Sequence, residues 1–228
     1  MESAGNLEYG PLVSTCVVPT GDDLALKAVL DWMGRDLTVP QQGMGRSNAV
    51  CPFLARALGS ESVWMRSVTG VRSPETMVAV ISDHVREIST LPAVDDEQLK
   101  SIVLVFPDIE GSERARRLVD EVQYAVKPGV VDAGFMVGEL HPWNDTAPRA
   151  APASPYRPNR SPVAAMALRR LHPHDAGFLL GDADPNRARR LLVSYLRQVE
   201  WRRIPARVQT EITDQLSRWL EPVGIAAR

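Results

Sequence analysis

The chain carries four histidines, and one of them, His141, ends an apolar run and is locked to a proline in FMVGELHPWN (135–144). That placement invites chemistry. A residue just past a buried strand sits in a loop on a rigid scaffold, where functional groups concentrate. Pro142 has a fixed φ and holds the preceding residue to extended backbone, so the imidazole direction is narrowed in advance. A neutral imidazole is a common general base and the commonest side-chain metal ligand. Glu139 and Asp145 stand close by in sequence and add carboxylates for acid–base work or for a metal. The plain alternative is a strand-ending histidine bonded to backbone.

Other residue types carry weaker signals. Cys51, in AVCPFL (49–54), has no basic neighbour to lower its pKa, so it reads as a small buried hydrophobe before it reads as a nucleophile. His172 and His174 flank Pro173. Their i, i+2 spacing puts both rings on one side of an extended segment, whereas a helix starting at Pro173 makes His172 a cap-region residue. Arg157 and Arg160 follow Tyr156 in a proline-rich stretch, and forked guanidinium groups suit a carboxylate or phosphate. Trp143, Tyr156 and Phe178 are candidates to wall an apolar pocket, or simply to pack. The dinucleotide, P-loop, serine-hydrolase and zinc-protease motifs are missing from the chain, and GDAD (181–184) lacks the spacing of a calcium loop.

Composition narrows the partners. A net charge of −2 and a pI of about 6.1 give no global reason to expect nucleic acid or an anionic membrane surface. The arginines frequent after Arg149 read either as a pocket for a small anion or as solvated helix faces. Two cysteines make neither a disulfide framework nor a zinc pattern, which fits a reducing, cytoplasmic setting. There is no apolar run long enough for a membrane span, and the N-terminus lacks the basic and apolar regions of a signal peptide.

The elements that must position these groups follow from periodicity. Residues 1–45 read as an arm with a short helix from Asp22 to Met33, capped at Asp22 or Asp23. Strands are expected over 62–68, 101–109, 133–140 and 163–171. The first two are followed by helices: 73–89, with Ser73 as cap and Pro74 first, and 111–129, capped by Ser112 and stopped by Pro128-Gly129. A loop with six prolines (141–162) joins the last two strands, and a short helix or turn (172–181) precedes two C-terminal helices within 184–222. This order predicts an α/β fold: an α+β sandwich with a ferredoxin-like mixed sheet, helices on one face and a C-terminal helical extension, as a single domain over 46–228.

The blocks AVCPFL, LVFPDI, FMVGELHP, YRPNRSPVAAMALRRL and HDAGFLL together resemble an uncharacterised bacterial domain family, found mostly in actinobacteria and often beside biosynthetic gene clusters. A weaker resemblance is to haem-dependent N-oxygenases of the YqcI/YcgG type. They share an early cysteine block, a strand leading to His-Pro, and an arginine-bearing loop into another strand. That resemblance implies a haem-dependent monooxygenase acting on nitrogen of a small amino-acid-like substrate. His141 would be the axial ligand, Arg157 or Arg160 a propionate partner, and Cys51, Met136, Trp143 and Phe178 would line the cofactor. The chain departs from those enzymes after His-Pro, where the proline-rich loop replaces their Ser-Arg and Arg-Arg-Phe elements. Two other readings stand beside it: a cofactor-free small-ligand-binding protein, as a homodimer or partner of a biosynthetic enzyme, and a non-haem metal or acid–base enzyme using His141.

Overall fold

The computed structural model describes residues 6–15 and 24–220, so the cap expected at Asp22 or Asp23 lies outside the described residues. The chain divides into two compact units, Met1–Lys127 with Phe135–Arg170, and Pro128–Gly134 with Leu171–Arg228.

The first unit is built on a mixed sheet. Its principal strands are β3 (Val63–Thr69), β4 (Ser101–Val105), β5 (Phe135–Leu140) and β6 (Ala165–Arg170). Two short strands, β1 (Glu8–Tyr9) and β2 (Val13–Ser14), pair antiparallel with β3, and the sheet order is β1-β3-β4-β6-β5. β3 and β4 are parallel, while β6 runs antiparallel to both β4 and β5. β3, β4 and β5 therefore point the same way, and their C-terminal ends share one edge of the sheet. Loops at that edge are where open α/β sheets place ligands.

α3 (Pro74–Glu87) connects β3 to β4, and a longer helix connects β4 to β5. That helix starts as α4 (Ser112–Ala115), widens into a π-helical turn at Arg116–Asp120 and continues as α5 (Glu121–Asp132). Both connections step across the sheet in one direction, so right-handed crossovers place both helices on the same face. The other face carries α1 (Leu24–Trp32) and α2 (Leu54–Gly59). Leu26, Val29, Trp32, Leu54 and Ala57 pack there on Val63, Met65, Val103, Val105 and Ala165.

The α/β class and the mixed sheet agree with expectation, and the details differ in three ways. Helices cover both faces rather than one, because α1 belongs to this core and not to a separate arm. The order βαβαββ is the one expected from the sequence, but with β6 inserted between two parallel strands it is not the βαββαβ of a ferredoxin-like fold. The helix expected to stop at Pro128 runs to Asp132, and it starts at Ser112 after Gly111 rather than being capped by Ser112. The proline removes one rung of hydrogen bonding, and burial of Val130 and Val131 just beyond it favours continuation.

α3 begins as expected: the Ser73 side chain accepts from the Thr76 N–H, and Pro74 is its first residue. Its far end anchors to the sheet through Arg66. That guanidinium donates to both Glu87 oxygens, at 2.8 and 3.0 Å, and to His84 Nε2 at 2.9 Å. His84 Nδ1 in turn faces the Val80 carbonyl at 2.6 Å, so the buried ring is held neutral. Burial pushes the His84 pKa down, more than its bond to Val80 raises it. Glu87→Ala strands a largely covered guanidinium. It is expected to cost about 2–3 kcal/mol in a denaturant melt, below the about 3–5 kcal/mol for breaking a fully buried pair.

The second unit holds α6 (Ala176–Leu180), α7 (Pro185–Gln198) and α8 (Ala206–Leu220). Asp184 caps α7 by accepting from the Asn186 N–H, and Ala188, Leu191, Leu192 and Tyr195 form its buried face. Among the described residues no helix is long and apolar enough to cross a membrane.

Candidate functional site

His141 is the first residue after β5 and is almost fully buried. Its backbone N–H donates to Asn159 O at 3.2 Å, and its carbonyl accepts from the Asn144 N–H at 3.1 Å, closing a turn over Pro142 and Trp143. Its Nε2 lies 2.8 Å from Asp120 Oδ1. A carboxylate only accepts, so Nε2 carries a hydrogen, and in the neutral ring Nδ1 is then the nitrogen with the lone pair. Nδ1 is buried and has no hydrogen-bond partner among the described residues. An unsatisfied buried acceptor costs about 1–3 kcal/mol, which makes it a feature that needs an explanation.

Asp120 reaches His141 because of the π-helical turn that it ends. The wider turn inserts a residue into the helix, and such insertions are frequent at functional sites. Leu118, Val119 and Val122 remain buried on either side of it. Nothing in the apolar spacing marks Asp120. The only cue is a pair of acidic residues inside the run Leu118-Val119-Asp120-Glu121-Val122.

Glu139 points from β5 to the same face as α3 and α5, opposite the core of α1, since strand residues alternate and Leu140 packs into that core. Its Oε1 accepts from Asn159 Nδ2 at 3.2 Å, so Asn159 ties Glu139 and the His141 backbone together. Loss of water around the carboxyl raises the Glu139 pKa, and nearby Asp120 adds to this. Lys127 and the Asn159 bond only partly offset the rise. A carboxyl whose folded pKa is raised binds protons more tightly folded than unfolded. Folding stability is therefore lost as pH rises from the ordinary carboxylate range through the raised value. Glu139→Gln is expected to raise the melting temperature near pH 7 and to leave it unchanged near about pH 4, a difference read from thermal melts across pH.

The remaining predicted residues are spread out. Trp143 is partly exposed, and its ring stacks on His141 with centroids 6.4 Å apart. Arg160 donates to Asp145 Oδ1 at 2.5 Å and to Asn144 O at 3.2 Å. Arg157 donates through Nη1 to Ser154 O and Tyr156 O, and its buried Nε finds no hydrogen-bond partner among the described residues. Both arginines thus brace the proline-rich loop. The same loop is met by Gly45, whose φ of +69° and close approach to Ala150 O leave no room for a side chain. Met136 is buried on the sheet face opposite Glu139, and the free thiol Cys51 packs against the core on that opposite face. Phe178 belongs to the second unit and is 61% exposed. Within the first unit, Met136 and Cys51 therefore lie on the other side of the sheet from Glu139. No group of three or more His, Cys, Asp or Glu able to hold a metal occurs among the described residues.

The sequence profile of a family described as "Domain of unknown function (DUF6875)" matches residues 26–211. The chain belongs to that family. The match takes in α1 from Leu26 onward, the whole of β3 to β6 and the His141–Asp120 pair. Neither a curated protein nor a solved structure matches the chain.

Proposed function

We propose that the first unit is an acid–base enzyme acting on a small polar substrate. His141 is its general base through Nδ1, Asp120 orients the imidazole, and Glu139 is the proton-holding partner. The single observation that carries this is the buried, unpartnered Nδ1 of a histidine whose other nitrogen is bonded to a carboxylate. The carboxylate selects the tautomer and stabilises the imidazolium that forms when Nδ1 takes a proton. Glu139, with its pKa raised by burial, supplies a carboxyl that holds its proton to higher pH than usual. A base and a carboxyl of this kind can take and give a proton in one turnover.

The test is to incubate the protein and His141→Asn with a metabolite extract and follow both by untargeted mass spectrometry. At least one small polar compound is expected to be converted by the wild type alone. A compound that binds without conversion would point to a binding protein instead. The same free Nδ1, backed by a carboxylate, also has the donor arrangement of a metal-ligating histidine, which favours the haem reading second. A Soret band formed with hemin and lost in His141→Ala would decide for that reading and against proton transfer.

A further inference from the structure

The second unit carries a pair of imidazoles that the proposed chemistry does not use. His172 and His174 flank Pro173, their Nδ1 atoms stand 3.1 Å apart, and their ring planes lie within 12° of each other with centroids 5.0 Å apart. Two nitrogens that bond one metal ion at about 2.0–2.1 Å, at angles between square and tetrahedral, stand about 2.9–3.4 Å apart. The observed separation falls inside that range.

We propose that His172 and His174 together bind one late transition metal ion of the Zn(II), Ni(II) or Cu(II) class through their Nδ1 atoms. Imidazole suits all three of these ions. The turn is braced on three sides. Pro173 has its φ fixed by its ring. The hydroxyl of the fully buried Tyr195 donates to Pro173 O at 2.7 Å. The buried carboxylate of Asp175 accepts from the His172 N–H at 2.7 Å. Outer contacts of this kind hold ligating histidines in place. His174 is exposed, which gives an ion a way in. With no third protein ligand grouped there among the described residues, the other positions go to water or to an incoming donor.

The competing account is a hydrogen bond between the two rings, with His172 Nδ1 also accepting from the His174 N–H at 3.3 Å. It predicts no special affinity for a metal. The experiment titrates the full chain with Zn(II) and Ni(II) by calorimetry and with Cu(II) by electron paramagnetic resonance. One ion per chain is expected, with two nitrogen ligands in the Cu(II) spectrum, and His172→Ala and His174→Ala are each expected to weaken binding about tenfold or more. His174 is exposed, so its removal leaves the fold intact, as a thermal melt without metal checks. Equal affinity in wild type and His174→Ala overturns the proposal, whether both bind weakly or both bind tightly at some other site.

Discussion

Asp120→Asn is expected to lower turnover of the substrate found in the extract screen by about 10²–10⁴, while moving the melting temperature only slightly. The size follows from what general-base catalysis and a correctly set tautomer contribute. An asparagine fits the same space, but its amide can turn its NH₂ towards the ring. Nε2 then becomes the acceptor, and the hydrogen moves to Nδ1, the nitrogen that must take the proton. His141→Asn removes the base itself and is expected to do at least as much damage. The two changes act on one unit, so the double variant should be no slower than His141→Asn alone. Nitrogen-detected NMR of the imidazole supplies a readout that a merely structural role would not move. The wild type should show the hydrogen on Nε2, and Asp120→Asn should shift it. A variant that keeps both its rate and its ring tautomer would remove Asp120 from the mechanism.

Much of this unit was legible from apolar spacing. The β3-α3-β4 segment and the β5 and β6 strands fall where the pattern places them, because each buries a regular face. His141 was legible for a different reason: Pro142 marks a turn, and a histidine at the end of an apolar run is conspicuous. The groups that complete the site left no such trace. Asp120 owes its position to a π-helical turn, and a turn of altered width breaks the 3.6-residue spacing on which the helix reading depends. Asn159 lies in a loop whose prolines carry no periodicity at all. β1 and β2 are two residues each, too short to alternate visibly. The path of α5 through Pro128 is a case of burial overriding a local breaker.

Met166→Ala is expected to cost about 2–5 kcal/mol, read as a lower midpoint in a denaturant melt, because it empties a fully buried volume in the middle of the sheet. Its effect should reach the site as well. In the register of the sheet, Arg66, Leu104, Met166 and Glu139 form one row on the face covered by α3 and the π-helical turn. Met166 is the neighbour of Glu139 in that row, so it supplies part of the apolar surroundings that raise the Glu139 pKa. Removing it admits water beside the carboxyl and lets that pKa fall back towards its ordinary value. The melting-temperature gain of Glu139→Gln near neutral pH should therefore shrink when measured in the Met166→Ala background. Two residues that merely added their effects would show the same gain in both backgrounds. The row thus links packing to chemistry: the methionine that fills the core is also part of what raises the pKa of a carboxyl near His141.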